Sequence, residues 1–374
     1  MDFTTDREAL LAELNLFAGV VENRPSDPLS MFSNVTFRPS ENGCELTASG
    51  GEIGLRSSIA AETSGDGLLS VPVSLLARWL KEGRAEQVSF HETDQNWIQV
   101  RCGGNDTRIP GRVGDPPTLS DPPADPLCTV PSEMFATLLR SGSYAFPAAV
   151  DASVATAGAQ IEVEGSSVRI VSSDHSRLAY SSAKLGDGDG TASGGKQAFG
   201  LGMKAISELT LLARSGDSGM RFFEGENHLF LEFGHRLLVC AKLADRLPEY
   251  EHVIPRDCPI RIRTSREGLL GAVQAALPFS TGDFNRAKLD IGEESIRIDV
   301  TSVRGEAISE VEVLEASGTP LTLHLNLVHL RDFAKSFDCE AVALEFNTPD
   351  TAFILRPVDE DDSIEHFCVG MPLV

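Results

Sequence analysis

The sequence predicts an α+β protein of three repeated domains, each with two helices and several strands. Two distant stretches carry the same helix pattern, Thr5–Leu14 and Thr264–Val273, and a weaker copy lies midway at Pro131–Leu139. Starts spaced by roughly a third of the chain are typical of an internal repeat. Alternating apolar and polar stretches between the helices predict strands. We therefore expect domains at residues 1–126, 127–255 and 256–374.

The first helix of each repeat opens with a capping pattern. Thr5 and Thr264 are the candidate N-caps, and a glutamate follows three residues later, at Glu8 and Glu267. In the middle copy, Pro131 falls in the first turn, where proline is tolerated. Apolar residues then recur at helical spacing. The six predicted helices are 5–18, 72–83, 131–142, 202–216, 264–277 and 326–337, with Gly83 and Gly216 as expected C′ residues.

Two proline-containing stretches predict the connections between the repeats. Residues 114–126 are rich in proline and aspartate, and residues 246–256 contain two prolines. Such composition is typical of loops and not of helices or strands. These stretches set the expected domain boundaries near residues 127 and 256.

The N-terminus and the cysteines bear on the compartment. Met1–Asp6 has no basic segment followed by an apolar one, so no signal peptide is predicted. The seven cysteines are scattered and have no metal-ligand spacing, which favours reduced, buried thiols. We expect a cytoplasmic protein that binds no metal or other cofactor.

No stretch of the sequence predicts a catalytic site. The phosphate-binding pattern Gly-x-x-x-x-Gly-Lys-Ser/Thr is absent. Asp174, His175 and Ser176 are consecutive, and adjacent side chains rarely converge into a catalytic triad. The acidic run Asp359–Asp362 is typical of a solvated loop. The protein is therefore predicted not to be an enzyme.

The charge is distributed unevenly along the chain. The formal net charge is −23, which argues against nucleic acid as a partner. The six predicted helices nevertheless carry nine basic and eight acidic side chains, a net charge of +1. Two interpretations stay open at this point. The helices could carry mixed charges for solubility, or they could form a less acidic surface that faces a polyanion.

Several stretches, taken in order, resemble the bacterial sliding clamp, the β subunit of DNA polymerase III. The resemblance covers nearly the whole chain and depends on the order of its motifs, since none is decisive alone. The stretches that carry it are Phe3–Leu11, Arg24-Pro25, Val171–Ala179, Leu247–Tyr250, Val253–Pro255 and Val369–Val374.

The resemblance implies a fold and a function. In the family, three domains with two helices each against antiparallel sheets form a crescent, and two crescents close head to tail into a ring around duplex DNA. The ring is a non-catalytic processivity factor at the nucleoid that tethers DNA polymerase and repair proteins. Polymerase and clamp loader bind it through short peptide motifs. The alternative is a clamp-like interaction protein that has lost DNA loading and sequesters clamp partners or forms mixed rings.

The chain departs from the family pattern at four places. Asp151–Ala155 stands where the family has a DNA-contacting Arg-Tyr-Tyr segment. His175-Ser176 replaces Gly-His, and Val374 replaces a terminal Arg-Leu. Pro110 lies near the edge strand expected to pair with a second subunit, and proline cannot donate a ladder hydrogen bond. These changes indicate a divergent or second clamp.

The resemblance also implies three sets of site residues, carried over position by position. The partner-peptide set is Thr156, Ser173, His175, Ser176, Arg177, Leu178, Pro248, His252, Val253, Ala352, Val369, Met371, Pro372 and Leu373. The DNA-binding set is Arg24, Arg78, Lys81, Arg140, Lys204 and Arg214. The dimer-interface set is Ile109, Leu277 and Phe279. For the first set, packing that merely closes the core of the last two domains is the other interpretation.

Overall fold

The computed structural model describes most of the chain. The described residues are 1–22, 30–41, 43–93, 97–111, 117–146, 158–186, 195–214, 219–244, 247–282, 284–318, 320–358 and 363–373. They contain six α-helices, α1 (Arg7–Val20), α2 (Val73–Lys81), α3 (Ser132–Gly142), α4 (Met203–Arg214), α5 (Arg266–Ala276) and α6 (Leu327–Lys335). Short 3-10 helices span Met31–Ser33, Glu251–Val253 and Leu277–Phe279.

The described residues fall into two compact units. The first comprises Met1–Glu133 with Lys204–Lys242 and holds two antiparallel sheets. Its five-stranded sheet runs β5 (Ala61–Ser64), β1 (Asp2–Asp6), β7 (Gln87–Thr93), β8 (Trp97–Cys102), β9 (Asn105–Pro110). Its eight-stranded sheet runs β10 (Cys128–Val130), β15 (Met220–Glu224), β16 (His228–Phe233), β17 (Arg236–Ala241), β4 (Ile53–Ile59), β3 (Gly43–Ser49), β2 (Asn34–Ser40), β6 (Leu69–Pro72).

The second unit comprises the remaining described residues and holds one twelve-stranded antiparallel sheet. Its strand order begins β14 (Gln197–Gly202), β11 (Gly158–Glu164), β12 (Ser167–Ser173), β13 (Arg177–Lys184), β25 (Ile364–Gly370), β24 (Phe353–Val358). The order continues β23 (Ala341–Phe346), β18 (Ile260–Ser265), β21 (Gly305–Ser317), β20 (Ser295–Ser302), β19 (Arg286–Ile291), β22 (Leu321–Asn326). Leu269 and Val273 on α5 and Phe333 on α6 are fully buried in the core against these strands.

The predicted N-caps of α1 and α5 are wrong by one residue. Asp6 caps α1 by accepting a hydrogen bond from the Ala9 N–H at 2.8 Å, and Ser265 caps α5 in the same way. Thr5 and Thr264 are instead buried residues within the preceding strands, one position before each strand ends. The strand continues through the threonine, so capping passes to the next polar residue.

The second helices are shorter than predicted, and Gly83 lies at the expected C′ position. It follows the C-cap of α2 without a positive φ. A Cβ at this position would lie 2.8 Å from the Cys102 Sγ atom, so close packing requires glycine. Gly216 lies outside the described residues. Pro131 precedes the first residue of α3 and does not lie within its first turn.

The α+β class with antiparallel sheets is confirmed, and each predicted third contributes two helices among the described residues. The domain boundaries at 126 and 255 stay a prediction. All seven cysteines lie among the described residues, are buried and form no disulfide. Within the described part of the chain, no helix is long and apolar enough to span a membrane.

Candidate functional site

A cavity of about 430 Å³ opens on the surface of the second unit. Four segments surround it: the turn between β12 and β13, the connector before the 3-10 helix Glu251–Val253, the start of β24 and the end of β25. Its lining residues are Ser173, His175, Ser176, Arg177, Leu178, Leu247, Pro248, Glu249, Tyr250, His252, Val253, Ala352, Val369 and Met371. We call this cavity the β13–β25 pocket.

The floor of the β13–β25 pocket is apolar because two neighbouring strands present aliphatic side chains to it. Leu178 on β13 lies directly opposite Val369 on β25 in the antiparallel ladder. Both are buried and pack with Tyr250, Ile354 and Val171 in one hydrophobic cluster. Since these partners are fully packed, the floor is formed before any ligand binds.

The connector that forms the opposite wall is held by two buried polar side chains of β11. The Leu247 N–H donates to Gln160 Oε1 at 2.9 Å, and the Tyr250 hydroxyl donates to Glu162 Oε2 at 3.0 Å. Burial raises the pKa of Tyr250 well above its ordinary value, so the hydroxyl stays a donor. Val253 lies close behind this anchor and is 45% exposed, so its side chain faces outward at the wall.

The β12–β13 turn is fixed by one carboxylate. Asp174 Oδ1 accepts hydrogen bonds from the N–H groups of Ser176 at 3.1 Å and Arg177 at 3.0 Å. The Ser176 carbonyl accepts from the Met371 N–H at 3.1 Å, which joins the turn to the last residues of the chain. Asp174, His175 and Ser176 therefore form a turn at the pocket rim. The Asp174 carboxylate bonds the backbone and Arg177, and not the ring of His175.

Arg177 is the buried cation of the pocket wall. Its Nε donates to Asp174 Oδ2 at 2.8 Å, and its Nη1 donates to Asp332 Oδ2 on α6 at 3.0 Å. Burial opposes the charge, but the two carboxylates outweigh it and raise the pKa of Arg177. Burial and the Arg177 charge lower the pKa of the nearby His329 to about 4. The guanidinium charge is therefore offset within the protein.

The structure brings together most of the predicted partner-peptide residues. Eleven of the fourteen line the β13–β25 pocket, and Thr156 lies outside the described residues. Pro372 and Leu373 are not among the lining residues. Pro372 is buried, and the Leu373 N–H donates to the His324 carbonyl at 2.8 Å. These two residues anchor the chain end beside the pocket.

Three lining residues were missed at the sequence level: Leu247, Glu249 and Tyr250. They belong to the proline-containing connector, which was interpreted as a boundary between repeats. The signal that could have found them is the motif Leu247–Tyr250, which itself carries the family resemblance and includes the predicted Pro248.

The predicted DNA-binding residues are placed in different settings. Arg78 and Lys81 in the last turn of α2 and Arg214 at the end of α4 are exposed. Lys204 Nζ donates to the Val20 carbonyl at 2.6 Å and so caps the C-terminus of α1. Arg140 pairs with Asp338 at 2.5 Å, and Arg24 lies outside the described residues. Their role toward DNA stays a prediction.

The predicted interface residues lie near two strand edges. Ile109 belongs to β9, the last strand of the five-stranded sheet, and its side chain is buried. Pro110 ends the same strand. Leu277 and Phe279 form the 3-10 helix after α5 and are half-buried. A role for these residues in pairing stays a prediction.

The pocket offers an apolar floor and a polar rim, and so can hold an apolar side chain with hydrogen bonds at its mouth. Among the described residues, no group of three or more histidines, cysteines or carboxylates could hold a metal ion.

Two family models match the chain. Residues 1–115 match the model of the DNA polymerase III beta subunit, N-terminal domain, and residues 251–372 match that of the C-terminal domain. These two matches fall on the first helix pair and on the last, and the second includes five of the fourteen pocket residues.

Curated relatives and solved structures are similar over nearly the whole length. The beta sliding clamp of Vibrio cholerae is 22% identical over 97% of this chain and 98% of its own, and that of Pseudomonas putida is 24% identical over the same shares. The crystal structure of the DNA polymerase III subunit beta from Pseudomonas aeruginosa has a TM-score of 0.88 at 24% identity, covering 100% of both chains. The sliding clamp from Bacillus subtilis has a TM-score of 0.89 at 19% identity, covering 100% of this chain and 99% of its own.

Proposed function

We propose that this chain acts as a DNA sliding clamp, because it belongs to the DNA polymerase III beta subunit family as a divergent member. Its curated relatives carry the name beta sliding clamp and match it over almost their full length. In this role the protein is a processivity factor that holds DNA polymerase on duplex DNA. It performs no covalent chemistry.

The observation that carries the proposal is the β13–β25 pocket. A clamp must hold its clients, and this pocket presents an apolar floor with two uncovered apolar side chains at its rim. Val253 is 45% exposed and Met371 is 48% exposed. Exposed apolar side chains around a preformed cavity are typical of binding sites.

The occupant of the pocket is a short extended peptide from a client such as a polymerase or the clamp loader. Its large apolar residue, leucine or phenylalanine, enters over Leu178 and Val369. Met371 adapts its flexible side chain to either shape. Burying one such side chain contributes about 1.5–3 kcal/mol, and the other contacts of the peptide supply the rest of the roughly 8 kcal/mol that micromolar binding needs.

The first prediction tests this pocket with a Gln-x-x-Leu-Phe type peptide in calorimetry. Deleting Met371–Val374 should abolish binding, but the deletion also removes the buried Pro372 and the Leu373 hydrogen bond. Met371→Ser is therefore the sharper variant, and its affinity should fall about tenfold. Leu211→Ser removes a similarly exposed apolar side chain, 56% exposed on α4 against 48% for Met371, and serves as the matched control. Equal affinities for Met371→Ser and wild type would place the client site elsewhere.

Ring closure is proposed to pair the edge of β9 in one copy with β21 in a second copy. Residues 305–312 of β21 pair with β20 on one side, and no described strand pairs with their other side. Ile308 on this segment is 60% exposed, and Val303 just before it is 98% exposed. Phe279 lies beside the turn between β20 and β21, since its carbonyl accepts the hydroxyl of Ser302, the last residue of β20, at 2.5 Å. Unpaired edges with exposed apolar side chains favour strand addition.

The DNA contacts are proposed to be phosphate contacts by exposed basic residues on the helices, above all Arg78, Lys81 and Arg214. Such contacts are independent of sequence and weaken with salt. Because Arg140 and Lys204 already bind Asp338 and the Val20 carbonyl, their contribution is smaller. The ring therefore holds DNA by enclosing it. Its affinity for short open duplexes is weak, with a dissociation constant above the micromolar range.

The second prediction tests enclosure with a loading assay. The protein should remain on nicked circular DNA and slide off after linearisation. Phe279→Ala should shift dimer to monomer in light scattering, because it removes apolar burial of about 1.5–3 kcal/mol, and it should shorten the residence on circles.

Leu314→Ala, which truncates an exposed side chain further along β21, is the control and should load like wild type. Unchanged dimer mass for Phe279→Ala would contradict this placement of the interface. Client binding without loading on circles would contradict the clamp function and favour a protein that sequesters clamp partners.

A further inference from the structure

The first unit contains a counterpart of the β13–β25 pocket floor. β4 and β13 are each the third strand after the first helix of their repeat, and β17 and β25 are each the third strand after the second helix. β4 pairs with β17 and β13 pairs with β25, antiparallel in both cases. Counting from the turn before β4 or β13, the second residue pair is Gly54 with Val239 in the first unit and Leu178 with Val369 in the second. The first unit therefore has a glycine where the pocket floor has Leu178.

The row of residues beside Gly54 is apolar and is covered by the chain's own connector. Val239, Phe230 and Phe223 lie opposite one another across β17, β16 and β15 and are buried in one hydrophobic cluster. Leu119, from the connector after the N-terminal third, packs against this cluster. A Cβ at Gly54 would lie 2.3 Å from Leu119 Cδ2, and its three nearest atoms would all belong to Leu119. Leu119 therefore fills the space above Gly54, which we call the Gly54 slot.

Arg56 binds both the backbone and a side chain of the same connector. It lies two residues after Gly54 on β4, so its side chain points to the same face of the sheet. Its Nη2 donates to the Leu119 carbonyl at 2.9 Å, and its Nη1 donates to Asp121 Oδ1 at 2.6 Å. The connector thus presents a leucine, the carbonyl of that leucine and a carboxylate two residues later, as a bound peptide would.

These contacts hold the connector at the surface of the first unit. Leu119 is half-buried, and the Asp121 side chain is 80% exposed. An ion pair with an exposed partner contributes little to stability, because water and salt screen it. A segment fixed by contacts of this kind belongs to the parts of a fold that open most readily.

The connectors of the two units differ in how they use the floor beside them. In the second unit, Tyr250 anchors the connector through Glu162, and the floor is open to the cavity of about 430 Å³. In the first unit the connector lies on the floor itself, and the cavity that remains beside Leu119 has a volume of about 70 Å³. The same strand arrangement is therefore open in one unit and filled by the chain in the other.

We propose that the first unit carries a second peptide site, which residues 117–121 of the connector close as an internal ligand. The external ligand of this site is an extended peptide with a leucine and, two residues later, an aspartate or glutamate. Its leucine enters the Gly54 slot, and Arg56 binds its carbonyl and carboxylate in place of those of the connector. Such a ligand binds when the connector lifts, so the connector is an autoinhibitory strap. The proposal rests on contacts within the first unit and does not depend on client binding at the β13–β25 pocket.

The test titrates a ¹⁵N-labelled peptide with the sequence of residues 117–126 in NMR experiments. Leu119→Ser empties the slot, and this variant should bind the peptide with a dissociation constant of about 1 mM, since one leucine and one carboxylate form the contact. Wild type should bind at least about tenfold more weakly, because its own connector occupies the site at a high effective concentration. Leu211→Ser removes an exposed leucine elsewhere in the first unit and should behave like wild type.

Gly54→Ala tests the slot itself, because the added methyl group occupies the position that Leu119 fills. Combined with Leu119→Ser it should abolish peptide binding. Replacing the peptide's aspartate that matches Asp121 by asparagine should weaken binding to Leu119→Ser about fivefold. As a single change, Gly54→Ala should expel Leu119 and raise the rate of thermolysin cleavage before this residue about tenfold.

Circular dichroism should match wild type in every variant. Three NMR results would overturn the proposal: no binding by Leu119→Ser, equal affinities of Leu119→Ser and wild type, or binding to Leu119→Ser that survives the addition of Gly54→Ala. The cleavage rate of the single variant Gly54→Ala is a separate readout that does not require Leu119→Ser to fold. An unchanged rate would also overturn the proposal, because the connector would then not depend on the slot.

Discussion

The first helices of the N-terminal and C-terminal thirds, α1 and α5, repeat one set of contacts. Each begins with an arginine. Arg7 Nε donates to the Ala85 carbonyl at 2.9 Å, and Arg266 Nε donates to the Cys339 carbonyl at 2.7 Å. In both copies Nη1 donates to the penultimate carbonyl of the second helix at 3.3 Å. The same arginine thus fastens the two helices of each third, with different sequences around it.

The threonines before these helices are also equivalent. The Thr5 hydroxyl donates to the Ala60 carbonyl at 2.7 Å, and the Thr264 hydroxyl donates to the Glu312 carbonyl at 2.6 Å. Both side chains are buried. The repeat noticed in the sequence therefore extends to individual hydrogen bonds.

The two helices differ at their seventh residue, where α1 has Glu13 and α5 has the half-buried Ala272. The Glu13 side chain is 5% exposed and accepts hydrogen bonds from Ser57 Oγ at 2.6 Å and Arg236 Nη2 at 2.5 Å. His235 Nε2 lies 3.2 Å from the same carboxylate. One copy has a buried ionic network where the other has a methyl group.

The second helices, α2 and α6, also differ, but here the C-terminal copy has the buried polar side chain. The third residue of α2 is Leu75, which is exposed, whereas the third residue of α6 is His329, whose side chain is 17% exposed. The sixth residue is Arg78 in α2 and Asp332 in α6. A hydrogen bond from a side chain to a backbone carbonyl depends on the identity of one residue only, and such bonds recur in both copies. An ionic contact needs a second charged side chain from a distant part of the chain, so the two copies have different ionic contacts.

The largest effect is expected from Glu13→Ala, which makes the seventh position of α1 resemble that of α5. It leaves Arg236 without its partner, and the free energy of unfolding should fall by about 3 kcal/mol in denaturant titrations. Adding Arg236→Leu should recover at least half of the loss, because the unpaired cation is removed. A loss below about 0.5 kcal/mol would mean that the network does not stabilise the first unit.

The next effect concerns pH and the second helix. The pKa of His329 on α6 is lowered from 6.5 to about 4, mainly by burial and also by the Arg177 charge. The carboxylates of Asp174 and Asp332 act in the opposite direction. Between these values the unfolded chain binds more protons, so stability is full above pH 6.5 and falls as pH drops to about 4. The loss should be up to about 3 kcal/mol.

His329→Leu, which copies the Leu75 position, should remove this slope when unfolding is measured from pH 7 to pH 4. Burial raises the pKa of Glu13, but its bonds to Arg236 and Ser57 outweigh burial and lower it. The stability that Glu13 contributes is therefore lost at a lower pH than that of His329. Equal slopes in wild type and His329→Leu would contradict the assignment to His329.

The smallest effect should be the same in both copies. Arg7→Met and Arg266→Met each remove the bonds to the second helix, and each should cost about 1–2 kcal/mol. Hydrogen exchange should show faster opening of α1 with α2 in one variant and of α5 with α6 in the other. Costs that differ by more than about 1 kcal/mol would break the equivalence of the two sites.

The helix positions could be predicted because their signal is local. The predicted ranges 5–18 and 264–277 compare with Arg7–Val20 and Arg266–Ala276. Apolar spacing identified the buried stripe of α1, which is Leu10, Leu14 and Phe17. Glu13 interrupts that stripe and was the one local sign of a buried charge. Its partner Arg236 lies 223 residues away, where no periodicity points to it.

The candidate pocket was predictable in its residues but not in its geometry. The family resemblance identified fourteen positions, and eleven of them, from four distant segments, line one cavity. It could not indicate that His175 has positive φ or that Arg177 lies between two carboxylates. Those features depend on the hydrogen bonds of Asp174 within the β12–β13 turn and on the contact between this turn and α6.

By itself, the sequence determined where helices begin and end within a few residues, and which segments alternate as strands. Periodicity and turn composition act over a few residues, so these properties need no distant partner. The tertiary structure alone decided which polar residue caps each helix, where buried charges find partners and which segments meet at the pocket. Each of these depends on the desolvation of a group by residues far away in the chain, and a local pattern contains no record of them.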